Sequence, residues 1–108
     1  MRIFNMKKSK NNCRTESDSM GKVKIPKSAL YGPQTQRAID NFDISDLVMP
    51  KEFIISVLLI KKAAAKANYK LKLIDKKISI AITNSAEYLI SNYNQENFPV
   101  DVFQTGSG

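Results

Sequence analysis

The strongest pattern in the chain is a helical repeat of apolar residues between positions 50 and 71. Apolar side chains recur there at spacings of four, three, four, three and four residues, at Phe53, Val57, Ile60, Ala64, Ala67 and Leu71. These spacings place all of them on one face of an α-helix. Pro50 precedes the repeat, and proline suits a first helical turn. We therefore predict one long helix with this face buried.

The two halves of this predicted helix differ in the size of their side chains. The first half carries further apolar residues, at Ile54, Ile55, Leu58 and Leu59. We therefore expect it to be buried nearly all round. The second half is rich in alanine, which has high helix propensity. Because these side chains are small, another helix can approach closely there.

Two shorter helices are predicted, one on each side of the long one. Thr35 is a predicted N-cap, and it is followed by a small apolar face at Ala38, Ile39 and Phe42. Asp75 is a second predicted N-cap, and it is followed by an apolar face at Ile78, Ile82, Ala86 and Leu89.

Two segments have extended patterns. Residues 22–25 alternate between polar and apolar side chains, which predicts a short strand with Val23 and Ile25 buried and Pro26 at its end. Residues 98–103 are predicted to be extended, because the residue before a proline avoids the helical region. Together the patterns predict a mainly α fold with three helices and one short β segment.

The predicted helices carry more apolar surface than a chain of this length buries well. The chain has 108 residues, and its first 14 are mostly polar. Short chains bury a smaller fraction of their surface on folding than long chains do. We therefore expect further chain or a partner to cover part of the long helix.

Positive charge is concentrated at the start of the chain. The net charge is +7, and residues 1–14 contain five basic residues and no acidic one. The other residues include 12 basic and 10 acidic ones, so no nucleic-acid partner is predicted. We assign residues 1–15 to a basic head, predicted to be disordered, and residues 16–108 to the folded part. An organelle-targeting peptide, or a true start at Met6, is the alternative for the head.

The composition excludes several kinds of site. The chain has no histidine, so histidine cannot serve as base, acid or metal ligand in this chain acting alone. A single cysteine, Cys13, excludes an internal disulfide and a multi-cysteine zinc site. The longest apolar run, residues 53–60, is interrupted by Ser56 and is far shorter than the roughly 20 residues of a membrane span. No metal site and no membrane partner are predicted.

Three collinear segments resemble class II fumarate hydratase. Residues 18–21, 29–32 and 34–38 are similar to the start of that family's sequence. Residues 49–50, 52–54 and 60–68 resemble the family's first long helix. Residues 98–108, which end in Gln-Thr-Gly-Ser-Gly, are similar to the lead-in to its substrate-binding loop. The resemblance runs from about Glu16 to Gly108.

Other members of the fumarase/aspartase superfamily resemble the same stretch less well. Aspartases usually carry His and Leu where this chain has Gln34 and Gln36, and Gly-Gly-Ala-Gly where it has Thr-Gly-Ser-Gly. These positions favour the fumarase version. An aspartase-type ammonia-lyase fragment remains one alternative, and a helical interaction module without catalysis is another.

The resemblance implies both a fold and an activity. The fold is the N-terminal helical domain of the fumarase/aspartase-like fold, with the central helix bundle absent from this chain. The activity is the interconversion of fumarate and L-malate in the citric acid cycle, by a homotetrameric hydro-lyase that needs no cofactor. The implied location is cytoplasmic, or mitochondrial if the basic head is a targeting peptide.

The resemblance also implies which residues contact substrate. Ser107 matches the hydroxyl that binds a substrate carboxylate, Gly106 and Gly108 flank it, and Thr105 belongs to the same loop. Glycines let backbone N–H groups approach an oxyanion, and a serine hydroxyl adds a donor. The alternative is a flexible linker without chemistry. Residues 34–37 are interpreted as structural. No catalytic residue is predicted within this chain, which is expected to be inactive by itself.

Overall fold

The computed structural model describes residues 12–104, which form two compact units. The first unit contains the residues up to 49 together with those from 95 onward, and the second contains residues 50–94. In chain order the elements are strands β1 (Cys13–Asp18) and β2 (Gly21–Pro26), helices α1 (Pro33–Asn41), α2 (Lys51–Lys70) and α3 (Lys76–Ser91), and a 3-10 turn at Gln95–Asn97. The predicted mainly α class is confirmed. None of the helices in these residues is long and apolar enough to span a membrane.

The first unit contains a two-stranded antiparallel sheet. The pairing runs from Cys13 opposite Pro26 to Asp18 opposite Gly21. Ile25 is fully buried and Val23 is half-buried, as the alternating pattern predicts. The sequence pattern does not predict β1, because its residues lack an alternating apolar face. Backbone pairing with β2 holds this strand instead.

Strand β1 begins inside the segment that is predicted to be the basic head. Cys13, Arg14 and Thr15 belong to the strand, so the boundary placed at residue 15 lies too late in the chain. Cys13 is a free, half-buried thiol. Residues 1–11 lie outside the described residues, and their disorder stays a prediction.

Arg14 holds the loop that connects β2 to α1. Its Nε donates to Glu16 Oε1 at 2.6 Å. Its two terminal nitrogens donate at 2.7–3.2 Å to backbone carbonyl oxygens of the loop, at Pro26, Lys27, Ala29 and Tyr31. A guanidinium presents its donors in a planar fork, which suits several acceptors at once. Arg14 is therefore a structural residue, although its position in the sequence groups it with the charges of the basic head.

Helix α1 begins before the predicted cap. Pro33 occupies the first helical turn and Gly32 is the N-cap, so the predicted capping role of Thr35 is wrong. Proline fits a first turn because its φ is already helical and it has no N–H to satisfy there. The predicted face at Ala38, Ile39 and Phe42 is half-buried.

The ends of the second unit's helices follow known capping geometries. Asp75 caps α3 as predicted, since its Oδ1 accepts from the backbone N–H of Ile78 at 3.0 Å. At the end of α2, Lys72 has a positive φ of 60°. The N–H of Lys72 donates to the Tyr69 carbonyl and that of Leu73 to the Asn68 carbonyl. This pair of bonds is a Schellman motif, here formed without the usual glycine.

Helices α2 and α3 pack through small side chains. Ala65 of α2 is 3% exposed, and Ser79 and Ala86 of α3 are also buried. Ser79 Oγ donates to the Ala65 carbonyl oxygen at 3.0 Å, a bond that requires close approach of the two backbones. Lys62 and Glu87 form an ion pair at 2.7 Å beside this contact. The predicted close approach at the alanine-rich half is confirmed.

The predicted buried faces of these two helices are largely wrong. Phe53 is 51% exposed and Ile60 is 65% exposed, and exposure also extends to Val57 and Leu71 on the same face. On α3, Ile78 and Ile82 are exposed although Ala86 is buried. The helices meet where small side chains let their backbones approach, which leaves the bulkier apolar residues on other faces. The uncovered apolar surface is the surplus that the sequence predicts.

The contact between α2 and α3 can be tested with two neighbouring alanines. We expect Ala65→Leu to lower the free energy of unfolding by about 1–3 kcal/mol, because the added atoms have no space between the helices. Ala64→Leu is the matched control, and it should change stability by less than about 0.5 kcal/mol because Ala64 is exposed. Urea unfolding followed by circular dichroism measures both. Equal effects would contradict the packing described above.

The role of Arg14 can be tested by removing its donors while keeping its apolar stem. We expect Arg14→Met to destabilise the loop locally by about 2 kcal/mol, because several carbonyl bonds to a charged group are lost. Amide hydrogen exchange at Ala29, whose N–H donates to the Pro26 carbonyl, reports on the loop directly. Lys24→Met removes one positive charge from an exposed site of β2 and is the control. If both variants exchange alike, Arg14 does not hold the loop.

Candidate functional site

The candidate substrate-binding residues are Thr105, Gly106, Ser107 and Gly108, and all four lie outside the described residues. The structure describes the segment that leads into them, up to Gln104. The geometry of this lead-in, and of the elements that hold it, determines how the chain approaches the candidate loop.

A buried carboxylate joins the lead-in to the loop that follows α1. Asp101 is 1% exposed. Its Oδ2 accepts from the backbone N–H of Ser45 at 2.6 Å and from Ser45 Oγ at 2.9 Å. Its Oδ1 accepts from the backbone N–H of Phe103 at 2.8 Å. The two oxygens of one side chain therefore bind two separate segments of the first unit.

Backbone bonds reinforce this junction. Val48 and Asp101 form an antiparallel bridge, and the N–H of Val102 donates to the Leu47 carbonyl at 3.1 Å. The N–H of Gln104 donates to the Asp101 carbonyl at 3.1 Å, which closes a tight turn over residues 101–104. The predicted extended conformation of residues 98–103 therefore ends at Asp101. The chain turns because the Asp101 side chain accepts from the backbone two residues later, as aspartate often does in turns.

A second charged contact joins the sheet to α1. Arg37 Nε donates to Asp18 Oδ2 at 2.8 Å, and Arg37 Nη2 donates to Asp18 Oδ1 at 3.0 Å. Gln34 Nε2 also donates to Asp18 Oδ2, at 2.8 Å. Asp18 and Arg37 belong to two of the motifs that carry the sequence resemblance, and the structure brings those motifs together. Their mutual bonds support the structural interpretation of residues 34–37.

The charges of this pair alter the protonation of both partners. Hydrogen bonds from the Arg37 guanidinium hold the pKa of Asp18 below its ordinary value of 3.8. The same contact raises the pKa of Arg37. A fork-to-carboxylate pair of this kind is geometrically specific, and it fixes the start of α1 against the hairpin.

An open cavity of about 500 Å³ lies beside this pair, lined in part by Gln34, Arg37, Asn41 and Gln104. Arg37 brings positive charge to the cavity wall, but Asp18 already neutralises it at hydrogen-bonding distance. Within residues 12–104, no group of three His, Cys, Asp or Glu side chains is arranged to hold a metal ion.

Comparison with known proteins shows the family. A family model described as lyase matches residues 21–108. The chain belongs to this lyase family. Among curated relatives, a class II fumarate hydratase of Halobacterium salinarum is 47% identical over 95 residues, which cover 88% of this chain and 20% of the relative. A second one, from Pseudomonas aeruginosa, is 48% identical over 88% of this chain and 21% of its own length.

Solved structures of lyases give the same result. A class II fumarase from Schistosoma mansoni matches this lyase chain with a TM-score of 0.84 and 36% identity, over 89% of this chain and 20% of that one. A fumarate lyase:delta crystallin from Brucella melitensis matches with a TM-score of 0.78 and 40% identity, over 89% and 21%. This lyase chain thus spans about a fifth of the curated relatives' length, at their N-terminal part. The resemblance to the N-terminal portion of class II fumarate hydratase is confirmed.

Sequence reasoning missed the two residues that anchor the lead-in of this lyase chain. Ser45 lies in a segment that shows no periodic pattern, and Asp101 lies inside a segment predicted to be extended. Asp101 carried a local signal, because an aspartate side chain can accept from the backbone N–H two residues later and so form a turn. Its long-range contact with Ser45, 56 residues away, had no local signal.

The Asp18–Arg37 pair predicts a pH dependence of stability. Because the folded-state pKa of Asp18 lies below 3.8, the pair stabilises the fold above that pH and loses its contribution as the pH falls through the lowered value. We expect Arg37→Met to lose less stability than the unmodified chain between about pH 5 and pH 3. Midpoints of urea unfolding, measured for both proteins between about pH 5 and pH 3, test this expectation.

A second ion pair supplies the control for this titration. The pKa of Glu87 is also lowered, chiefly by its hydrogen bond from Lys62. Lys62→Met should therefore remove the contribution of Glu87 to the pH dependence of stability and keep the contribution of Asp18. If the stability of Arg37→Met falls with pH as steeply as that of the unmodified chain, Arg37 does not set the protonation of Asp18.

Proposed function

We propose that this chain supplies the N-terminal part of a class II fumarate hydratase, which interconverts fumarate and L-malate in the citric acid cycle. The observation that carries the proposal is the match to enzymes of that name at about 47% identity over 88% of this chain. The TM-score of 0.84 to a class II fumarase supports it. Aspartase-type ammonia-lyase activity is the alternative within the superfamily.

The proposed role of the chain is to bind a carboxylate of the substrate. Ser107 would donate its hydroxyl, with backbone N–H groups of Gly106 and Gly108 beside it and Thr105 at the start of the loop. Donors arranged before the reaction begins stabilise an anion with little reorganisation. The anchored turn at Asp101 supports this role, because it holds the approach to these residues in a defined direction.

Proton transfer is proposed to depend on groups outside this chain. The reaction removes a proton beside a carboxylate and expels water, and a positioned base contributes roughly 10²- to 10⁴-fold to such a step. Residues 12–104 contain no histidine, and their charged side chains at the lead-in are engaged in structural bonds. We therefore propose that the chain by itself is inactive.

The exposed apolar residues support a role in assembly. Phe53, Ile60 and Ile78 leave apolar surface on α2 and α3. Surface of this kind marks an interaction site in a soluble protein. We propose that it is covered in a homotetramer located in the cytoplasm, or in mitochondria if the basic head is a targeting peptide. The same observation favours the second candidate function, a helical interaction module without catalysis.

Complementation tests the proposal. The 108-residue chain is co-expressed with the remaining segment of the Pseudomonas aeruginosa relative, and the purified complex is assayed for the ultraviolet absorbance of fumarate. We expect fumarate hydration by the complex and none by either part alone, because the base and the carboxylate site lie on different polypeptides. Release of ammonia from L-aspartate is measured in parallel.

Each other result selects a different conclusion. A stable complex without turnover of either substrate would favour the interaction module. Deamination of L-aspartate would favour the ammonia-lyase. Hydration by the 108-residue chain alone, at the rate of an intact enzyme, would overturn the assignment of the base to another segment.

A further inference from the structure

The turn between α2 and α3 exposes apolar and positively charged side chains together. It contains residues 69–77, which we name the α2–α3 tip. Leu71 and Leu73 are 68% and 69% exposed. Asp75 is the one acidic residue of the tip, so its formal charge is +3 with four lysines. These lysines are all exposed, at Lys70, Lys72, Lys76 and Lys77.

The fold of the turn does not explain three of these lysines. Lys72 has a φ of 60°, a left-handed conformation that glycine adopts at lower cost. Lys76 and Lys77 lie in the first turn of α3, where the helix dipole disfavours positive charge. The ion pairs within residues 12–104 involve none of the three. Their charge is therefore better explained by a partner than by the turn.

Packing does not explain the two leucines. The turn is a Schellman motif, in which the residue at the position of Leu73 commonly packs against the side chain five residues earlier. That side chain is Asn68, which is polar. Leu71, the C-cap residue of α2, is exposed as well. Both leucines therefore present apolar surface next to positive charge.

The two ends of the second unit differ in charge. The end opposite the α2–α3 tip contains residues 50–55 and 89–94, where the charged residues are Lys51 and Glu52. Their charges cancel, whereas those of the tip do not. An anionic partner is therefore attracted to the tip in preference to the other end.

An anionic phospholipid surface matches both features of the tip. Each lysine near such a surface contributes about fivefold to binding. Exposed leucines can bury their side chains at the boundary between headgroups and acyl chains. Tyr69, which is also exposed, belongs to a residue type that favours the membrane interface.

Other anionic partners match the tip less well. The backbone of a nucleic acid would attract the lysines but offers the leucines no apolar surface. A stable protein partner needs about 20–30 residues on each side of the interface, and the tip has nine. The combination of charge and apolar surface in so short a segment therefore favours lipid.

We propose that the α2–α3 tip binds the surface of anionic phospholipid membranes, with Leu71 and Leu73 inserted among the headgroups and the lysines beside the lipid phosphates. The prediction of no membrane partner rested on the lack of a spanning segment, and a surface contact needs none. This binding is independent of the proposed function, because it requires no turnover of fumarate or L-malate.

Co-sedimentation with lipid vesicles tests the charge of the tip. The 108-residue chain is mixed with vesicles of phosphatidylglycerol in phosphatidylcholine, or of phosphatidylcholine alone. We expect binding to the anionic vesicles only, and we expect salt to weaken it. Lys76→Gln/Lys77→Gln should lower the affinity by about tenfold or more, because two charges are lost. Equal binding to both kinds of vesicle would contradict the proposal.

Two control variants remove the same charge elsewhere. Lys22→Gln/Lys24→Gln changes exposed sites of β2, and Lys7→Gln/Lys8→Gln changes the basic head. Each should lower the affinity by less than about threefold, because charges outside the contact are screened by salt. If either control lowers the affinity as much as the tip variant, net charge or the head binds the vesicles, and the proposal is overturned.

Thermal unfolding shows whether the tip variant is still folded. Lys76→Gln/Lys77→Gln removes positive charge from a helix N-terminus, so its midpoint should be equal to that of the unmodified chain or higher. A loss of vesicle binding with an unchanged or raised midpoint is therefore a loss of the contact itself.

Tryptophan fluorescence tests the insertion of the leucines. The chain contains no tryptophan, so a single introduced one reports on its own site. The emission of Leu73→Trp should move to shorter wavelength when anionic vesicles are added, because the indole enters a less polar medium. Leu47→Trp is the matched control at a site that is 59% exposed, and its emission should stay unchanged. No shift in Leu73→Trp, or equal shifts in both variants, would contradict insertion.

A DNA duplex is the competing anionic ligand. We expect Leu71→Gln/Leu73→Gln to lower the affinity for anionic vesicles by about tenfold or more, because apolar surface no longer leaves water. Suppose instead that the chain binds the duplex more tightly than the vesicles, and that this variant binds it as well as the unmodified chain does. The tip is then a nucleic-acid site, and the membrane proposal is wrong.

Discussion

Charged side chains that bind backbone groups hold the first unit together. Among its described residues, Ile25 is the one apolar side chain that is fully buried. So little buried apolar surface contributes a small part of the stability that a compact unit needs. Arg14, the Asp18–Arg37 pair and Asp101 supply directional bonds in its place, and each connects segments that are distant in the sequence.

The second unit differs from the first, because most of its large apolar side chains lie outside the contact between its helices. Its two helices have abundant apolar side chains, yet they meet along Ala65, Ser79 and Ala86. Close backbone approach allows the bond from Ser79 Oγ to the Ala65 carbonyl, and it leaves large residues such as Phe53 and Ile60 outside the contact. This arrangement suits a chain that spans a fifth of its relatives' length, because the exposed faces can be covered in a larger lyase.

The two kinds of bonding have consequences for the proposed reaction. A carboxylate-binding loop must hold its donors in place before substrate arrives. A junction made of charge-assisted hydrogen bonds is stiffer in direction than an apolar contact, which tolerates sliding. The buried carboxylate of Asp101 is therefore suited to holding the chain that leads into such a loop. The cavity beside Arg37 is not suited to binding a carboxylate, since the charge of Arg37 is already compensated by Asp18.

Local sequence patterns predicted the elements that depend on neighbouring residues. The long helix, the Asp75 cap and the alternation at Val23 and Ile25 all arise from contacts within a few residues. The motifs within residues 18–38, 49–68 and 98–108 together carry the family resemblance. The cap of α1 was misplaced at Thr35, because Gly32 and Pro33 can start a helix without a side-chain bond.

The sequence by itself therefore determined the helical class and the family, and the candidate loop at Ser107 stays a prediction. Tertiary structure decided which faces of α2 and α3 meet, that β1 forms from a polar segment, and that Arg14 and Asp101 are structural. The physical reason is range: helix periodicity and capping act over one or two turns, whereas the bond from Ser45 to Asp101 spans 56 residues. A pattern of neighbouring residues therefore cannot predict such a contact.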